Sequence, residues 1–412
     1  LVSVLPGLAE QNKELGEQYW FLVTIAEAYY GLGRFQEALP WLEKAAALPN
    51  VPPWEFETTA KQLTSITRLQ NDIEGKADIV EESEAWKVLQ KFLGDNFQAV
   101  RSAFVGKVGL GLSGGGFRAS LFHIGVLAKL AELDALRHVE VLSCVSGGSI
   151  IGAHYYLELR KLYKEKQDDQ ISREDYIEIV KRIFEQFLAG VQRNIRTRVA
   201  AEFSTNLKMI FTPNYSRTER VGELYEEELY ARVEDGEGHR PRWLNDLFIQ
   251  PKGEDRSFAP KHDNWRRAAK VPILILNATT LNTGHNWQFT ASWMGEPPVA
   301  INTEVDGNYR LRRMYYEDAP SDHQQIRLGH AVAASACVPG LFEPIVLDKL
   351  YEDVTVRLVD GGVHDNQGVM GLLEQDCTVI IVSDASGQME TQDDPSRGLI
   401  GVPLRSNSSL MA

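Results

Sequence analysis

The sequence predicts an α/β fold with a mostly parallel sheet and helices packed on it, preceded by a small all-α segment. Three observations predict it. Residues 107–149 hold two strand–turn–helix units in succession, KVGLGLSGGG leading into one helical stretch and HVEVLSCVSGG into the next. VPILILN (271–277), VTVRLV (354–359) and TVIIVS (378–383) are further short apolar, β-branched runs. The first fifty residues instead place apolar and small residues at helical spacing.

Residues 107–113 read as a buried strand, and Gly114, Gly115 and Gly116 as the turn that ends it. Leu121, Ile124, Leu127, Ala128, Leu130 and Leu133 then recur at helical spacing over 119–133. Residues 138–143 are the second strand, 146–148 a second tight turn, and the second helix runs from Ser149. A β-α-β-α order puts both turns at the carboxyl ends of strands, where open α/β sheets bind ligands. A triglycine before a helix exposes N–H groups beside the positive end of the helix dipole, which makes an anion site. Cys144-Val145-Ser146-Gly147-Gly148 reads as a nucleophile elbow, with a cysteine, still small, where the first glycine usually stands. An anion site beside an exposed serine is the apparatus of acyl transfer.

At 412 residues the chain has room for more than one domain. Its composition, 43% hydrophobic and 24% charged, is that of a globular protein with a large core. A net charge of −14 argues against a nucleic-acid partner and gives no global attraction to anionic membranes. Cys144, Cys337 and Cys377 are too few and too scattered for a disulfide frame or a zinc cluster, which points to a reducing, cytoplasmic compartment. No run reaches transmembrane length and no signal-peptide pattern opens the chain. Leu1 is not an initiator, so residues are expected before it.

Within residues 1–50, Leu22, Ile25, Ala26, Tyr29, Gly33, Phe35, Ala38, Leu42 and Ala45 fall on the spacing of a tetratricopeptide repeat. One such hairpin cannot bury its own face, so it is expected to be the end of a longer array that binds a protein partner, with an ordinary capping hairpin as the other reading. Residues 51–104 read as a helical connector packed on the sheet. The main domain is expected over 105–387, with a lid-like insertion at 161–267 and a polar tail at 388–412. In the insertion, Ile183, Phe184, Phe187, Leu188 and Val191 give an apolar face followed by Arg193, Arg196 and Arg198. A basic amphipathic segment could meet a lipid surface, but a core-facing helix is the reading preferred here.

Ser146 needs a base. Asp360 stands at a strand end in a Gly-rich turn and could reach the serine directly, forming a dyad. A triad with His364 or His123 as base is the competing reading, and Asp before glycine is also a common turn residue. Asn366 is close enough in sequence to orient Asp360; Asn277 reads as a turn residue. Ser143 and Ser149 are alternative hydroxyls, one inside the strand and one on the helix. Gly109–Gly114 matches GxGxxG, but its glycines begin inside the strand and the second strand ends in Ser143-Cys144, not an acidic residue, so no dinucleotide site is expected. No GK[ST] follows the glycines, and the nine histidines show no metal-ligand spacing. No cofactor and no metal are called for.

Five stretches in order, SGGGFRAS with HIGVL, CVSGGSIIGA, ILNATTLNTG, AVAASACVPGLFEP and VDGGVHDNQG, resemble the successive motifs of patatin-like phospholipases over roughly Lys107 to Ser386. The resemblance implies a three-layer fold with helices on both faces of the sheet. It implies a Ser-Asp dyad of Ser146 and Asp360, an oxyanion hole from Gly114, Gly115 and Gly116, and support from Arg118, with Gly148 and Asn366 in further supporting positions. It implies a lipid acyl hydrolase of phospholipase A or lysophospholipase type, acting on membrane phospholipid or lysophospholipid from a peripheral position, without a metal. A regulated effector, silent until its helical arm meets a partner, is one extension of this reading. The alternative is a non-catalytic lipid-binding or assembly scaffold recruited through the helical repeats.

Overall fold

The computed structural model describes residues 1–73, 83–94, 96–192, 216–298, 307, 309–387 and positions 393, 394, 398, 402 and 405. The chain forms two compact units, Leu1–Lys107 with Phe258–Ala268, and Val108–Ser257 with Ala269–Ala412.

The first unit is helical: α1 (Leu5–Gln11), α2 (Lys13–Gly16), α3 (Tyr19–Gly31), α4 (Phe35–Ala46), α5 (Pro53–Ile73), α6 (Glu84–Phe92) and α7 (Phe97–Val105). Leu22, Ala26 and Tyr30 of α3 meet Ala38 and Leu42 of α4, and Leu63, Trp86, Leu89 and Phe104 complete the same core. The Tyr30 hydroxyl donates to the Ala85 carbonyl at 3.1 Å. Trp86 and Phe104 stack with centroids 5.1 Å apart. The hairpin of residues 1–50 thus buries its apolar face against the helices of 51–104. Apolar periodicity reveals a buried face but not its partner.

The second unit contains β1 (Val108–Leu112), α8 (Gly116–Glu132), β2 (Val139–Val145), α9 (Gly147–Glu165), α10 (Arg173–Val191) and α11 (Arg217–Glu228). These are followed by β3 (Ile273–Thr280), β4 (Asn286–Phe289), β5 (Trp293–Gly295), β6 (Met314–Tyr315), α12 (Leu328–Ser335), β7 (Ile345–Tyr351), β8 (Val354–Asp360), α13 (Val369–Glu374) and β9 (Val379–Ser383). The sheet runs β6-β5-β4-β3-β2-β1-β9. Its central strands β3, β2, β1 and β9 are parallel, and β4, β5 and β6 extend it antiparallel. Every residue of β1 and β2 is buried, as parallel strands covered on both faces require. Strand β2 runs two residues beyond the stretch read from the sequence, so Ser146 follows it with no intervening loop.

The described residues of the insertion up to Ser257 belong to this unit, and those from Phe258 to the first. Ile183 and Phe187 of α10 are buried, while Phe184 and Leu188 are exposed. Arg193, Arg196 and Arg198 lie outside the described residues. The α11 helix packs on α12 where Gly222 and Gly329 meet backbone to backbone.

Candidate active site

Strand pairing brings Ser146 and Asp360 together. β2 pairs with β3 up to Val145 opposite Asn277. On the other edge of β3, β4 covers Leu276–Thr279. β8 pairs antiparallel with Ala278, Thr279 and Thr280, so it must use the edge that β2 leaves at Asn277. Two strands therefore approach each other end to end along one edge. Ser146 is the residue after the tip of β2, and Asp360 is the last residue of β8.

Ser146 sits at φ 49° and ψ −115°, conformational space that a residue with a Cβ enters only when its surroundings impose it. Its N–H donates to the Ser335 hydroxyl at 2.9 Å. The next residue has to be glycine, because a Cβ on Gly147 would penetrate the backbone of Gly116. The two turns are thus in direct contact, and the N-termini of α8 and α9 converge beside Ser146. The Ser120 hydroxyl, donating to the Gly147 carbonyl at 2.6 Å, ties one turn to the other.

Cys144 is accommodated from across the interface. A Cβ on Gly152 of α9 would overlap the Cys144 sulfur, so the missing side chain on the helix makes room for the extra one on the strand. Burial raises the thiol's pKa, which leaves Cys144 an inert packing group. Gly152→Ala is expected to destabilise the fold by about 1–3 kcal/mol through overpacking. Adding Cys144→Gly to that variant should restore most of the loss, as measured by denaturant unfolding. Equal stability of Gly152→Ala and wild type would contradict the fit.

Asp360 is fully buried. Its N–H donates to the Cys337 carbonyl at 3.0 Å, and its carbonyl accepts from the Thr279 hydroxyl at 3.0 Å. Its Oδ1 accepts the Gly362 N–H at 2.8 Å. Among the described residues Oδ2 has no partner of full hydrogen-bond geometry, although the Ser146 hydroxyl is near enough to be one of the two groups that pull the carboxyl's pKa down. Burial outweighs both, and the pKa rises from 3.8 to about 7.

The glycine loop divides its donors. The Gly114 N–H is taken by the Asn366 carbonyl at 3.0 Å, and the Asn366 side chain lies against the Gly114 Cα. The Gly148 N–H is taken by the Ser113 carbonyl at 3.1 Å. The N–H groups of Gly115, Gly116 and Gly147 stand at the very start of α8 and α9, where a helix offers its own donors no carbonyl. Gly115 is exposed and Gly116 half-buried, so a ligand can reach them.

The other residues singled out from the sequence fall in definite places. His123 is buried, with Nε2 at 2.9 Å from the Ser113 carbonyl and Nδ1 at 2.7 Å from the Ser383 hydroxyl, and burial lowers its pKa. Both ring nitrogens are occupied in tying the residue after β1 to the end of β9. His364 is exposed and Nδ1 meets the Gly284 carbonyl at 3.2 Å. Among the described residues, no hydrogen bond links either imidazole to Ser146. Ser143 accepts from the Asn277 side chain at 2.9 Å, and Ser149 meets the Ser335 hydroxyl at 2.7 Å. Arg118 is exposed on the first turn of α8, and no ion pair or hydrogen bond among the described residues links it to the loop. Charged guanidinium keeps its hydration there. Ser335 and Ser120 were not singled out from the sequence. Small polar residues in small-residue helices carry no pattern of their own.

The family model for patatin-like phospholipases matches residues 110–373, from β1 to α13. The chain belongs to the patatin-like phospholipase family. The match covers every site residue named above and well over half of the chain. No curated protein matches the chain. Family membership makes this patatin-like domain a lipid acyl hydrolase in general terms. Among the described residues, no helix is long and apolar enough to cross a membrane, and no group of three or more His, Cys, Asp or Glu side chains could hold a metal ion.

Proposed function

We propose that this patatin-like chain cleaves fatty-acyl esters of phospholipids or lysophospholipids by acyl transfer to Ser146, with Asp360 as the base. The observation that carries the reading is the end-to-end approach of β2 and β8 along β3, which leaves a strained serine beside a buried carboxylate where two helix N-termini meet. A carboxyl with a pKa near 7 is matched to proton transfer at neutral pH.

Asp360 Oδ2 takes the hydroxyl proton as Ser146 Oγ bonds to the ester carbonyl carbon. The carbonyl oxygen becomes an oxyanion, held by N–H groups of the glycine loop at Gly115 and Gly116, with Gly147 as a third donor. The intermediate collapses, the ester C–O bond breaks and the leaving alcohol takes the proton from Asp360. Water then gives a proton to Asp360 and attacks the acyl-enzyme. The fatty acid leaves and the proton returns to Ser146.

The enzyme is read as one that works at membrane surfaces from a reducing compartment, and residues 1–50, whose apolar face the helices of 51–104 already cover, as an arm with only its outer side open to a protein partner. Three buried cysteines, none of them in a disulfide, support the compartment. Incubation with vesicles of a diacyl phospholipid, and with micelles of its lysophospholipid, tests the reaction class. The expected products are free fatty acid and a glycerophospholipid that keeps its headgroup. Release of the headgroup would mean phosphodiester cleavage and would overturn acyl transfer.

A further inference from the structure

We propose that Ser335 is a positioning residue for acyl transfer. With Cys337 two residues on, it ties the backbone of the nucleophile and that of the base to one short segment and so fixes their separation. The inference rests on the reading of Ser146 as nucleophile.

The Ser335 side chain is fully buried at the end of α12. A hydroxyl has one proton to give and two lone pairs to accept with. Here the proton goes to the Asn277 carbonyl at 2.5 Å, and the lone pairs take the Ser146 N–H at 2.9 Å and the Ser149 hydroxyl at 2.7 Å. All three positions are used, so the hydroxyl cannot rotate without breaking a buried bond. Asn277 also donates through its side chain to the Cys144 carbonyl at 3.0 Å. The elbow is therefore held to β3 both before and at the strained residue. Two residues past Ser335, the Cys337 carbonyl accepts the Asp360 N–H at 3.0 Å. The start of the helix is anchored as well: buried Glu226 of α11 accepts the Gly329 N–H at 3.0 Å and Arg327 Nε at 3.0 Å. Residues 335–337 thus span the gap between Ser146 and Asp360 from a helix fixed at its other end.

The test compares Ser335→Ala, Ser335→Thr and Ser149→Ala in the full chain. It uses a short-chain ester for kcat and KM, a fluorophosphonate for the rate of Ser146 phosphonylation, and thermal melting. Ser149→Ala removes a buried bond to the same hydroxyl without touching the Ser146 amide. Ser335→Ala is expected to lower kcat and the phosphonylation rate about tenfold to a hundredfold, the effect of one buried donor left unpaired at a reacting group. Its KM should stay within about twofold, the mark of an interaction that acts on the chemical step. Ser149→Ala, which loses one of those three bonds, should melt below wild type but above Ser335→Ala and keep its rate within about threefold. Ser335→Thr, which keeps the hydroxyl, should recover most of the rate wherever it folds. A Ser335→Ala enzyme that reacts at the wild-type rate would overturn the positioning role, as would equal slowing in Ser335→Ala and Ser149→Ala. An adduct on a residue other than Ser146 in the wild type would overturn the nucleophile itself.

Discussion

Ser146→Ala is expected to abolish ester hydrolysis, lowering kcat by about 10⁴-fold or more, since the hydroxyls nearest it in sequence are already engaged. Ser143 and Ser149 are each bonded within the core, to Asn277 and to Ser335. The variant should fold normally. Alanine leaves the backbone at φ 49° as it is, and the amide bond to Ser335 does not involve the lost hydroxyl. Stability within about 1 kcal/mol of wild type is expected, as for a substitution that removes one small polar group. Hydrolysis of a short-chain ester, measured beside a thermal melt, checks both halves. A folded variant with wild-type turnover would remove Ser146 from the mechanism.

Asp360→Asn is expected to kill activity and to raise stability at alkaline pH. The carboxyl's pKa moves from 3.8 in an open chain to about 7 in the fold, because burial penalises the charge. Between those values the unfolded chain has lost the proton that the folded chain still holds. Stability therefore falls as pH rises through that window, and by pH 8 the full cost of about 4 kcal/mol is present. Asparagine never ionises and escapes this cost. The variant should melt above wild type at pH 8, with the difference fading towards pH 4. Turnover should drop by about 10⁴-fold, as when a catalytic unit loses one member. In the wild type, kcat/KM should climb with pH and level off above about 7. A variant that melts below wild type at pH 8 would show that the carboxylate is held by partners, and a flat pH profile would remove it as the base. His364→Ala, by contrast, should be mild, because that imidazole meets Gly284 and not Ser146.

Much of the candidate site was legible because the proposed chemistry depends on residue types that leave a pattern. A triglycine before a helix and a serine flanked by small residues at a strand end can be read from spacing alone. Asp360 could be placed at a strand end, but not on an antiparallel strand, since direction is set by pairing with β3. The short strands β4, β5 and β6 were not foreseen: two to four residues are too few to show a period. The fit between Cys144 and Gly152 involves the strand and the helix packed on it, and a single sequence does not show which residues touch. The proposed oxyanion donors differ from the triglycine for a similar reason. Gly114 belongs to the triglycine, but its N–H is consumed by the Asn366 carbonyl, and the proposed third donor, Gly147, comes from the other turn and is itself buried. Arg118 stands in the expected position in the sequence, yet its side chain faces solvent. The helical arm shows the same limit, since its periodicity gave the buried face and left open which helices cover it.

The central claim is that Ser146 is an activated nucleophile with Asp360 as its base. The most direct measurement is to treat the full chain with a fluorophosphonate at pH 8 and locate the adduct by peptide mass spectrometry, in wild type, Ser146→Ala and Asp360→Asn. The expected result is one covalent phosphonyl group on the peptide containing Ser146, absent from Ser146→Ala and strongly slowed in Asp360→Asn. An adduct that persists in Ser146→Ala, or forms at the wild-type rate without the carboxylate, would contradict the account.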